Sequence, residues 1–528
     1  MLRRLIFASA ILLYGNETFA KDVPADPSNY FGLIGSLQPG DRLVLAAGTY
    51  TQGLPITGLN GTDAAWITIT GPTSGAPAIF EGNPCCNTVE LVNASYIAVE
   101  HITVDAKGID GPFGVSAKNS SSNVVHHIRI EGCRFIGHNA SQQMVAISTK
   151  TPTYGWIIRG NEIEGAGTGM YLGNSNYAEP FVGGLIEYNL IKNTIGYNMQ
   201  IKNQNAWISH PALPTSGTAR TILRHNVFIK DDTPSPDGVR PNVFLGGPPP
   251  TGPGADTVVE VYGNLFVHNA SESLMQATGR VSIHDNIFID ASDVAIRLQA
   301  HDGFPLLGAK VYDNTFYMAK RAVYLGAQPT EGDLVTGNLV FADMAFDGPF
   351  AGLGTNLVDT AANAGNYVNK PSIVLGDADL YPLAGKVETM PLDPAPFGAD
   401  NDYACDFNGS SRKTFTHRGA YAGDGTNPGW KLAATRKPEV VCQASSGAGG
   451  GASSSSSGSG AGGNGSGGAG ESGGAGGSGG GGNTTDPGGC GCRMASTNGS
   501  MPITMVLGYA ALRYLRRRKT SPTHERLS

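Results

Sequence analysis

The polar side chains of this chain that could do chemistry fall at regular places between apolar neighbours. Tyr171, Gln200, Phe244, Arg297 and Tyr324 each separate two apolar residues, in Met170/Leu172, Met199/Ile201, Val243/Leu245, Ile296/Leu298 and Val323/Leu325. Val145/Ile147 reads as an earlier pair of the same kind. Alternation with a period of two sends such pairs inward and the residue between them outward, and it places Lys202 and Gln299 one alternation further along. Aromatic, amide and cationic side chains in one row suit an elongated saccharide, because aromatic faces stack on sugar rings and cations meet carboxylates. Lys202, in Met199-Gln-Ile-Lys202-Asn203, places a cation on the outer face in the middle of the row. Arg240, in the turn leading to Asn242-Val-Phe-Leu245, is the nearest cation on the next repeat.

A repeat must hold that row in place. An apolar residue, two spacers, Asn, one spacer and another apolar residue recur as Ile158/Asn161/Ile163, Ile186/Asn189/Ile191, Leu223/Asn226/Phe228, Val261/Asn264/Phe266, Ile283/Asn286/Phe288, Val311/Asn314/Phe316 and Val335/Asn338/Val340. Upstream, Ile130/Cys133/Phe135 and Val99/Ile102/Val104 keep the pattern without Asn, and Ile67-Thr-Ile69 reads as an earlier strand. Repetition at the length of one supersecondary unit marks a solenoid. Each Asn is expected at a turn, able to adopt a left-handed conformation and stacked on the next Asn in a buried ladder. The fold expected is all-β, a parallel β-helix of about ten coils and roughly 50 Å.

Several functional classes are excluded early. A net charge of -7 with 15% charged residues provides no cationic surface for nucleic acid. Arg3 and Arg4, an apolar run from Leu5 to Leu13 and Ala20 before Lys21 form a secretory signal over 1–20. The β-helix is expected over 21–395 and a cap segment over 396–444. Residues 445–489, nearly all Gly, Ser and Ala, bury no apolar surface and read as a disordered linker. A tail over 490–528 carries Cys490, Cys492, an apolar segment at 501–512 and the cluster Arg513, Arg516, Arg517, Arg518, Lys519. Of the 7 cysteines, Cys405 could pair with Cys442, and Cys85 or Cys86 with Cys133.

These patterns resemble known families. The repeat, together with Leu37-Gln-Pro-Gly-Asp41, Gly48-Thr-Tyr50, Tyr381-Pro-Leu383 and Arg418-Gly-Ala-Tyr421, resembles the right-handed parallel β-helix proteins of the pectate-lyase-like group. Linker, cysteines, apolar segment and Arg cluster resemble the MYXO-CTERM sorting tails of myxobacterial exported proteins, which implies processing near Cys490 or Cys492 and membrane association through the tail alone. Leu223-Arg-His225 partly resembles a Leu-Arg-His-Gly segment of the chondroitinase B and alginate lyase family, in which a Lys and an Arg on successive coils act together. Here Arg224 and His225 precede the turn Asn226, and no Gly follows, so Arg240 fits the arginine's place better. The resemblance to lyases of this fold implies Lys202 as the base, provided that nearby positive charge or desolvation lowers its pKa, and Arg240 as the cation that neutralises the carboxylate.

Metals receive little support from the sequence. Asp231, Asp232 and Asp237 share a long turn and offer carboxylates to Ca2+, but their spacing matches no defined calcium loop. His126, His127, His225, His268 and His284 are scattered without zinc-ligand spacing. Two readings follow: a monomeric, surface-anchored protein that cleaves an acidic polysaccharide as a lyase, or an adhesin of the same fold that only grips it.

Overall fold

A computed structural model of the chain describes residues 20–118, 123–215 and 219–443. The linker, the tail with Cys490 and Cys492, and the leader before Ala20 lie outside the described residues. Among those described, no helix is long and apolar enough to cross a membrane.

The chain winds into a right-handed parallel β-helix with three faces. Sheet A stacks the strands that precede the ladder position, from Asp22–Ala25 through Ile157–Arg159 and Thr221–Arg224 to Asp333–Thr336. Twelve of its fourteen strands form one continuous path, so the rod slightly exceeds the ten coils expected. A second sheet of twenty strands makes two faces, here called B and C. They merge where Ile287–Leu298, Thr315–Leu325 and Leu339–Asp347 run through both. Inside, like residues sit on like: Phe228, Phe266, Phe288 and Phe316 stack with centroids 4.7 to 5.1 Å apart.

The Asn ladder forms as the spacing demands. Asn161, Asn189, Asn226, Asn264, Asn286, Asn314 and Asn338 each donate from Nδ2 to the Oδ1 of the next, ending on Asn356. Each also satisfies a backbone carbonyl of the preceding coil, as Asn264 does with Leu223 O at 2.9 Å. The left-handed residue is not the Asn but its predecessor: Tyr188, His225, Asp285 and Asp313 have φ between 52° and 57°. That bend lets the amide turn inward along the rod. Cys133 occupies the ladder column in place of Asn, its N–H donating to Asn161 Oδ1. It is therefore buried and free, and Cys85 and Cys86 join each other instead of reaching it. In face C the inward pair of its coil is Ile147/Thr149, aligned with Met170/Leu172, two residues later than Val145 suggested.

Parallel pairing ends at Leu357–Asp359. The chain then reverses and runs as a strap along sheet A, over the ladder coils from Asn338 back to Asn161. Gly419 N–H bonds Gly337 O at 2.7 Å, and its φ of +96° and lack of a Cβ, which would meet Thr315 Oγ1 at 2.6 Å, permit that approach. Arg412 is buried against Asp285 at 2.5 Å and Asp313 at 3.6 Å. Lys437 Nζ donates to Gly263 O at 2.9 Å, and Arg436 reaches Gly160 O. Cys405 and Cys442 are disulfide-bonded within the strap.

Candidate functional site

Face C carries the polar row. Ser148, Tyr171, Gln200, Phe244, Gln276, Arg297 and Tyr324 align coil by coil; Gln276, between Met275 and Ala277, belongs to it although the sequence pairs did not include it. Beside it runs a second row in which Lys150, Gly173, Lys202, Gly246, Thr278 and Gln299 follow the strand ends in order. Gly173 has φ of +95°, and a Cβ there would meet Lys202 Cβ at 3.1 Å, so glycine in this coil makes room for the lysine stem.

Lys150, Tyr171, Lys202 and Arg240 converge on one end of the row. Lys202 Nζ stands 5.7 Å from the Tyr171 ring centroid and 5.6 Å from that of Tyr177. Lys150 Nζ lies 5.4 Å from the Tyr171 centroid and 4.8 Å from that of Phe113. The Arg240 guanidinium lies 5.8 Å over Tyr197, and its own loop carbonyls, Asp237 O and Val239 O, accept from it. Among the described residues, none of these three cations has a carboxylate oxygen within 4.0 Å, whereas Arg297 is bound to Asp293 at 2.6 Å and Glu272 at 3.4 Å. Burial lowers the Lys202 pKa against the pull of the Asp302 carboxylate, and the Arg240 charge lowers it further. Lys150 is lowered by burial.

Loops wall this groove. Tyr177 donates to Asp302 Oδ2 at 2.6 Å, joining segments four coils apart on one side. On the other, the turn carrying Arg240 is fixed by Gln142, which donates to Gly238 O at 3.0 Å and accepts from Asp237 N–H at 2.9 Å. Over Phe244 the walls meet: His301 packs on it at 4.5 Å and Tyr197 at 6.4 Å. Phe244 is therefore 2% exposed and Gln200 5%, which corrects the expectation that both project from the surface. They form a covered floor. Tyr324, one coil beyond Arg297, lies between the Arg297 and Arg321 guanidiniums, and Gln299 packs beside Gly326.

The three turn aspartates do not converge on a cation. Asp232 bonds His268 at 3.0 Å, Asp237 accepts from Gln143 at 2.9 Å, and Asp231 accepts from Thr233 N–H at 3.0 Å. Sequence reasoning missed Lys150, which follows Thr149 as Lys202 follows Ile201, so the same alternation could have found it. Tyr177, Tyr197, His301 and Asp302 come from loops and carry no such signal.

No family model matches the chain, and no curated protein matches it. Among solved structures it is similar to the PL6 family polysaccharide lyase from Pseudopedobacter saltans, at 12% identity and TM-score 0.43 over 65% of this chain and 93% of that one. It is similar to the pectate lyase Pel9A at 11% identity and TM-score 0.36, over 79% and 97%. It is also similar to a GH136 lacto-N-biosidase from Eubacterium ramulus at 11% identity and TM-score 0.34, over 61% and 62%. The parallel pairing itself establishes the fold, and none of these likenesses assigns a reaction.

Proposed function

We propose that the chain is a carbohydrate-active β-helix protein that cleaves an acidic polysaccharide by β-elimination. The observation that carries this reading is the group of three cations, Lys150, Lys202 and Arg240, set over aromatic rings without carboxylate partners among the described residues. A uronate in the groove would supply the missing charge. Neutral Lys202 removes the proton at C5, Arg240 meets the carboxylate as its charge grows, and the C4–oxygen bond breaks to leave a C4–C5 double bond, its electron pair leaving with the oxygen, which takes a proton from water to become the hydroxyl of the released chain. Tyr171 offers a stacking surface for the sugar ring. The leader and tail motifs would export the chain and hold it at the cell surface through processing near Cys490 or Cys492.

The full-length protein, assayed on a panel of polyuronides, is expected to generate the ultraviolet absorbance of an unsaturated sugar end. Lys202→Ala should abolish it. Full activity in that variant would overturn the mechanism, and saturable binding by the wild type without product on any substrate would assign the groove to adhesion instead.

A further inference from the structure

The root of the strap carries a second cluster, away from the groove. Glu388 and His417 face each other across an isolated antiparallel bridge. Asp424 stands beside them, its Oδ2 accepting the Gly385 N–H at 2.7 Å. One oxygen of each carboxylate and a ring nitrogen of His417 all lie within 4.8 Å of one another. His417 Nε2 is 3.6 Å from Glu388 Oε1 and 4.0 Å from Asp424 Oδ2, beyond hydrogen-bond length. That nitrogen is buried with no hydrogen-bond partner, on a side chain only 14% exposed. Buried polar atoms are normally satisfied, so an orphan aimed between two acids asks what satisfies it. A ring nitrogen and two carboxylates thus converge from three places in the chain.

We propose that Glu388, His417 and Asp424 bind a divalent cation of the zinc class, which fastens the root of the strap. Metal–ligand lengths of about 2.0–2.2 Å put tetrahedral ligands roughly 3.4 Å apart, so ligand atoms that now lie within 4.8 Å of one another need to close by at most roughly 1.4 Å. Glu388, more than half exposed, is free to swing inward, and the Asp424 carboxylate and His417 ring need a smaller side-chain adjustment. An imidazole beside two carboxylates selects zinc over calcium, which takes oxygen alone, and water completes the fourth position.

The test uses the full chain, stripped with chelator and then equilibrated with Zn2+ alone. One equivalent of zinc should remain after gel filtration, with a rise in melting temperature of about 2–4 °C, and Ca2+ at the same concentration should give no rise. Both effects should vanish in Glu388→Gln, a surface change that leaves the bridge backbone intact, and in His417→Gln. Zinc held instead by the His126 and His127 pair, whose Nδ1 atoms are 2.8 Å apart, would survive in Glu388→Gln. Retained zinc in that variant, no stoichiometric zinc in the wild type, or an equal response to Ca2+ would each overturn the proposal.

Discussion

Lys202 shows how far a single residue can be placed by periodicity and where that placement stops. The alternation Met199, Gln200, Ile201 predicts its stem on the outer face, and the backbone sets it in register with Gly173 and Gly246. What makes it a candidate base is the burial contributed by Tyr177 and the loop around Asp302, and loops carry no period to read. With Lys202 as base, kcat/KM should rise with pH, because only the neutral amine accepts a proton. The midpoint should lie below the ordinary lysine value of 10.5. Arg240→Gln removes a charge that lowers that pKa, so its pH profile should shift to higher pH as well as lose rate. Lys202→Ala should cost at least about 100-fold in kcat, whereas Lys150→Ala should act mainly on KM. An unshifted profile in Arg240→Gln would separate the two residues. A second titration concerns stability. Burial opposes the charge of His284, but hydrogen bonds with Asp285 at 2.8 Å and Glu260 at 3.3 Å prevail and raise its pKa from 6.5 to about 9. Its folded-state proton stabilises fully below the unfolded pKa, and the contribution, about 3 kcal/mol, is lost as pH rises through 9. Urea midpoints at pH 6 and pH 10 should therefore differ more for the wild type than for His284→Gln, and equal differences would contradict the assignment.

At the scale of the element, the Asn phrase was legible because one side chain solves the same backbone problem in every coil. Asn264 accepts from the Asn226 N–H and Nδ2, and donates to Leu223 O and Asn286 Oδ1. Asn264→Ala leaves buried backbone groups on two coils unsatisfied, and should cost about 2–4 kcal/mol of unfolding free energy, measured by chemical denaturation. Asn356, at the end of the ladder and partly exposed, should cost less. The sequence did not reveal that the residue before each Asn takes the left-handed bend. Nor did it reveal that Asp285 and Asp313, in that position, reach out to Arg412, because their partner lies far away in the chain. Val145 and Ile147 are both buried, but the column aligned with Met170/Leu172 continues to Thr149, and a buried threonine does not look apolar in a pattern.

At the scale of the whole molecule, the sequence marked the cap over 396–444 and its Cys405–Cys442 pair, but no local pattern announced that this segment runs back along the coils as a strap. Its disulfide closes a loop with a sequence separation of 37, so Cys405→Ser with Cys442→Ser should lower stability by about 3–4 kcal/mol on chain-entropy grounds, read as a shift in denaturation midpoint. Undiminished stability would mean that the buried contacts of Arg412 and Lys437 hold the strap by themselves. A bare solenoid behaves almost as a one-dimensional array, each coil stabilised by its neighbours and able to fray from either end. Here, Gly337 and Gly160, at opposite ends of the ladder, both bond the same returning segment. The coils beneath it should therefore melt as one cooperative unit, with uniform amide-exchange protection from Ile158 to Val340. The coils before Glu131, to which no bond from the strap runs among the described residues, should be the part of the rod that opens first.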